Sequence, residues 1–195
     1  MKHQFLLLSL LCSTLSMSPA FAETENYNNN VNVQHNAQQN ANVEKNREIL
    51  GWLVVLNQNE IAAAKEVATK KVNPMVQNYA HWLYKQHTQG LHDTIKTSRQ
   101  LKEQPFKSEA AVSLQQEGEK VLANLKSLDN TKQFQNSYIE DMIKGHQEAL
   151  NHINNVLLKN TNNPKLERLI KVTRHHVSEH LQRGIAIQKK LNSMS

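Results

Sequence analysis

Four residues of this chain sit where a helical interior ordinarily places Leu or Ala. Glu60, His87, His146 and His180 each fall on a line of apolar residues spaced three and four apart, the pattern of one buried helix face. Glu60 lies among Leu53, Leu56, Ala63 and Val67, His87 after Leu83, His146 between Ile143 and Leu150, and His180 beside Val177 and Leu181. Carboxylate and imidazole together suit zinc, iron, copper or manganese. An isolated ionised Glu60 in such a place carries a heavy desolvation cost, which a bound cation or a protonated histidine offsets. The residue types point to a mononuclear site of Glu60, His87, His146 and His180. His176, one turn before His180 on the same face, is an alternative ligand. A di-iron centre is disfavoured, because such sites draw on two Glu-x-x-His pairs and the sequence contains none. The competing reading is a structural polar layer, with the histidines hydrogen-bonded to Glu60, Tyr84, Tyr138 or Asp141 and fixing helix register. No Ser-His-Asp order, phosphate-cradling glycine loop or nucleophilic cysteine supports a hydrolase or nucleotide enzyme, so the balance falls against an enzyme.

The elements that must position these residues are long helices. The spacing predicts helix one from about Asn46 to Val72, and Asn73-Pro74 ends it, since a residue before proline is pushed out of the helical region. Pro74 opens helix two, whose inward line runs Val76, Ala80, Leu83, His87, Leu91 and Thr94 to Leu101. A shorter helix starts near Ser108, a suitable N-cap, and ends near Leu128. Helix three, about Lys132 to Asn160, turns Ile139, Met142, Ile143, Leu150, Ile153, Val156 and Leu157 inward. Asn163-Pro164 repeats the stop-and-restart device, and helix four carries Leu166, Leu169, Ile170, Val177, Leu181, Ile185 and Leu191. No strand-like alternation occurs. The expected fold is all-α, a four-helix bundle of two antiparallel hairpins with a short extra helix between helices two and three. Antiparallel helices of similar length align their midpoints, which would gather the four polar residues into one layer.

Outside residues 46–195, the bundle domain, two segments differ in character. Met1–Ala22 has a basic start, an apolar run from Phe5 to Leu15 and an Ala20-Phe21-Ala22 cleavage pattern, the features of a secretory leader cut after Ala22. The run is too short to span a bilayer, which takes about twenty residues. Cys12, the single cysteine, lies within it, so the mature chain is expected to have no thiol, disulfide or lipid anchor. Residues 23–45 are rich in Asn and Gln with little to bury, the composition of a disordered tail. The formal charge of +6 is spread over helical lysines, and aromatics are few, so no nucleic-acid surface is expected. Helices of this polarity allow at most peripheral membrane association. The predicted place is the periplasm or cell envelope, with a metal ion or an envelope protein as partner.

Several motifs carry a resemblance. Asn59-Glu60-Ile61, Asn73-Pro74-Met75-Val76, His87-Thr88, Tyr138-Ile139-Glu140-Asp141-Met142 ending in His146, and Glu179-His180-Leu181 resemble a family of exported ferritin-like helical bundles. That family is domain-of-unknown-function family 4142, often labelled outer membrane proteins. The likeness extends over about Ile49 to Leu191. It implies a ferritin-like four-helix bundle with an extra short helix, export to the envelope, and Glu, His, His and His at the positions of Glu60, His87, His146 and His180. The family carries no settled activity. The chain departs from its common pattern in the Asn/Gln-rich tail and in Gln86, where an acidic residue is usual.

Overall fold

The computed structural model describes residues 20–194, with side chains from Val33 onward. The chain divides into two compact units, residues 1–39 and 40–195. Most of the leader expected over Met1–Ala22, Cys12 included, lies outside the described residues. Among the described residues the secondary structure is all helical, with no strand. The helices are α1 (Ala20–Val67), α2 (Pro74–Leu101), α3 (Glu109–Ser127), α4 (Thr131–His152) and α5 (Pro164–Ser193). A π-helical turn, Ile153–Leu157, and a last turn, Leu158–Asn160, prolong α4.

The helix punctuation works as the sequence suggests. Asn73 Oδ1 accepts from the Met75 backbone N–H at 2.9 Å, and Asn163 Oδ1 from Lys165 and Leu166, with a proline as first helical residue in both cases. Ser108 occupies the N-cap of α3 without a side-chain bond, whereas Asn130 caps α4 by accepting from Gln133. The start of α1 differs from expectation. Its backbone is helical from Ala20, through the Asn/Gln-rich residues assigned to a disordered tail. A helix closes its hydrogen bonds within its own backbone, so polar composition decides packing more than local conformation. Val33 to Ala41 are exposed, and burial begins at Asn46.

In the second unit two apolar clusters form the core. The first joins Leu50, Leu53 and Leu56 of α1 to Ala149 and Ile153 of α4 and its extension, and to Leu166, Ile170 and Val177 of α5. The second joins Ala63 and Val67 of α1, Val76, Tyr79 and Leu83 of α2, Phe134, Tyr138 and Met142 of α4, and Ile187 and Leu191 of α5. Helix α5 packs against both α4 and α2. Two residues expected inside are not: Val156 is 39% exposed and Ile185 49%. The π turn inserts an extra residue into the helical register, and the buried places there go to Ile153 and Leu157; on α5 they go to Gly184 and Ile187.

The connection from α2 to α3 is clamped to α1. Phe106 N–H donates to Arg47 O at 2.9 Å, Arg47 Nε donates to Gln104 O at 3.1 Å, and Asn46 Nδ2 to Glu103 Oε1 at 3.3 Å. This crossing runs over Gly51, where a Cβ would stand 1.9 Å from Phe106 O, so only glycine admits it.

Candidate metal centre

Between the two clusters every contributing helix changes from apolar to polar. Along α1 the step from Leu56 to Ala63 contains Asn57 and Glu60. On α4 the step from Met142 to Ala149 contains His146, and on α5 that from Val177 to Ile187 contains His180. His87 follows Leu83 on α2. All five side chains are buried. His87, His146 and His180 each offer a ligand nitrogen, and these atoms lie within 4.8 Å of one another. Their ring centroids are 5.0 to 5.8 Å apart.

The hydrogen bonds assign the protons. Asn57 spends its amide nitrogen on Leu53 O at 2.7 Å, leaving its oxygen to accept from His87 Nδ1 at 3.1 Å. His146 Nδ1 donates to Met142 O at 2.6 Å, so its Nε2 carries a lone pair, which accepts from His180 Nδ1 at 3.2 Å. Each ring therefore has one nitrogen held as a donor. His87 Nε2 and His180 Nε2 remain buried lone pairs with no hydrogen-bond partner. Unpartnered buried acceptors are costly, and neutral imidazole nitrogens fixed by a bond on the other side of the ring are how proteins present metal ligands.

Glu60 does not join the three nitrogens. Its Oε1 lies 4.0 Å from His146 Nδ1, the nitrogen that already serves Met142 O, and its Oε2 is buried without a partner. His176 stands one turn away, half-buried, its ring centroid 6.5 Å from that of His180. Of the five residues singled out from sequence, the structure thus converges three, sets Glu60 beside one of them and leaves His176 at the margin.

Electrostatics follow from burial. Desolvation pushes the Glu60 carboxyl up, against the downward pull of His146. Burial, with the neighbouring His180, His146 and His176, pulls His87 well down, and burial with His146 and His176 takes His180 to about 2. Both rings are neutral at pH 7, the form that binds a metal.

Of the partners anticipated for a purely structural layer, Glu60 stands beside His146 at 4.0 Å, beyond hydrogen-bond distance. No hydrogen bond links these histidines to Tyr84, Tyr138 or Asp141; Asn57 and the Met142 carbonyl take that role. Asn57 is not among the residues singled out by type, although its place three residues before Glu60 on the same line marks it. Tyr79 also borders the site, donating from its hydroxyl to His180 O at 2.9 Å. Trp82 sets its ring edgewise on His180 at 4.6 Å. Among the other histidines, His81, His92 and His175 are exposed, but His152 is half-buried and stacks on Trp52 at 4.5 Å.

A family model described as a domain of unknown function, DUF4142, matches residues 31–187. No curated protein and no solved structure matches the chain at a significant level.

Proposed function

The chain belongs to the DUF4142 family, a domain of unknown function, and on that premise we propose that it is an exported helical bundle binding one transition-metal ion through His87, His146 and His180. The observation that carries this reading is the buried trio with two Nε2 lone pairs that nothing in the protein satisfies. Three neutral imidazoles are a donor set that holds zinc and leaves a further position for water or another ligand. His87 and His180 offer their free Nε2 lone pairs, and His146 joins them when its Nε2 exchanges the His180 Nδ1–H for the ion. Met142 O orients His146 by accepting its Nδ1–H, and Glu60, 4.0 Å from the same nitrogen, supplies compensating charge. Bonds near 2 Å draw ligand nitrogens closer together than 4.8 Å, so the rings close slightly on the ion.

The ferritin-like four-helix arrangement of two hairpins is supported by the two Asn-Pro restarts and by the packing of α5 on α4 and α2. Placement in the periplasm or envelope rests on the leader pattern, and a role in metal handling or envelope stress on both together. No described helix is long and apolar enough to cross a membrane, which agrees with at most peripheral association. A second reading, an envelope interaction protein with a structural polar core, is favoured by the bonds that already occupy one nitrogen of every ring.

Zinc titration separates the two. Saturating zinc at pH 7.5 is expected to stabilise the chain by about 2.7 kcal/mol at a hundredfold excess over Kd, several degrees in Tm, with much less effect at pH 5. His146→Ala should abolish the increment and His81→Ala, on the exposed face of α2, should not. A parent protein indifferent to zinc leaves the structural reading standing.

A further inference from the structure

We propose that a second site, a cavity walled by α1, α3 and α4, binds a small organic cation whose ammonium group is held by Glu60 and Asp141. The cavity measures about 380 Å³, within the range of about 300–1,000 Å³ usual for small-molecule sites. Its lining is largely apolar, with Trp52, Leu56, Ala63 and Met142 among its walls. Two carboxyl groups break that lining from within. Glu60 is more than nine-tenths buried, and its Oε2 has no partner; Asp141 Oδ2 is likewise buried and unpartnered. These two oxygens are sealed behind the cavity wall, while Glu60 Oε1 lies toward Gly145 on the cavity floor; a buried carboxyl without a donor is costly, and a cationic ligand offsets it. Glu117 and Glu148 add negative charge to the lining, and Lys144, its one lysine, is 3.9 Å from Glu148.

The shape narrows the class of cation. Among the described residues the histidine trio is the group of three whose ligand atoms converge to metal-binding spacing. Glu60 on α1 and Asp141 on α4 enter the cavity from two of its walls, which suits an ammonium with several N–H donors. Trp52 and His152, stacked at 4.5 Å and 19°, give a flat aromatic wall for an apolar body or for the cation itself. Gly145 keeps the floor open: a Cβ there would meet only Glu60 Oε1, at 3.9 Å. The site shares Glu60 with the layer, 4.0 Å from His146 Nδ1, but uses none of the three ligand nitrogens, and Asp141 belongs to it alone.

Phenethylammonium and its neutral isostere 2-phenylethanol are suitable probes, titrated calorimetrically into the full chain at pH 7.5, with chelator and again with zinc. The expected result is binding of the ammonium compound and not of the alcohol under both conditions. Asp141→Asn should weaken it at least about tenfold, the loss of one charge-assisted hydrogen bond. Gly145→Leu should block it by filling the cavity, with Tm held or raised, because leucine is the better helix former. Equal affinity for the two probes, binding unchanged by Asp141→Asn, or no binding by the parent up to about 10 mM, weaker than the ligand efficiency of so small a compound requires, overturns the proposal.

Discussion

The two halves of the core differ in what they offer the polar layer between them. The first cluster is mainly aliphatic, and the buried polar groups α2 contributes beside it, Thr94 and Ser98, spend their hydroxyls on nearby carbonyls of Gly90 and Glu103. The second adds three aromatic rings, Tyr79, Phe134 and Tyr138. Tyr79 reaches from it to His180 O, and the Tyr138 hydroxyl is buried without a partner. Burial, and after it the charge of Glu60, push both phenols up, so both stay neutral. One half is therefore filler, holding helices together without addressing the site, whereas the other is coupled to it through the Tyr79 hydroxyl.

Mutation of the filler half should have the largest effect on stability and the smallest on the site. Ile170→Ala, at a fully buried position, is expected to cost about 2–5 kcal/mol in denaturant unfolding. Its zinc-induced increment should match the parent's; a lost increment would mean that the two halves are coupled alike.

Acid should act through the layer. His87 and His180 stay neutral when folded but can protonate when unfolded, so below about pH 6.5 the unfolded chain binds more protons and stability falls with pH. Each ring contributes up to about 1.4 kcal/mol per pH unit. The raised Glu60 carboxyl works the other way, taking up its proton more readily in the folded state and offsetting part of the loss as acidity increases. His87→Leu should flatten the stability profile between about pH 6.5 and 5; an unchanged slope would remove His87 from the account.

The smallest effects test the aromatic half directly. Tyr79→Phe deletes the bond to His180 O and should cost about 1 kcal/mol while weakening the zinc response. Tyr138→Phe removes a hydroxyl that has no partner and should be neutral or slightly stabilising in the same melts. Equal losses for the two would show that both hydroxyls serve the layer.

The layer was legible because helical spacing says which residues share a buried face, and antiparallel helices align their middles. That reasoning reached His87, His146 and His180. It overreached at His176, since sharing a face with His180 says nothing of how deep a residue one turn away will sit. It missed the direction of Glu60, whose carboxyl addresses His146 Nδ1 on one side and the cavity on the other. The cavity itself left no trace in the periodicity, because an apolar stripe shows what is covered and not how completely the covering helix fills the space. Val156 and Ile185 failed for a related reason: stripe positions were extrapolated with an unbroken period, and neither the π turn nor the inward Gly184 has a signature in spacing alone.

The clamp of residues 103–106 on α1 bears on how this protein can change in length. Connections between helices usually accept insertions at little cost, since loop closure depends only weakly on loop length. Here an added residue would lift Phe106 from its seat over Gly51 and break the bonds to Asn46 and Arg47 together. Tolerance should instead move to the turn before α4, around Leu128–Asn130, where Lys70 Nζ holds a single carbonyl. The two ends of α3 thus differ as grafting points, one closed to added sequence and the other open to it.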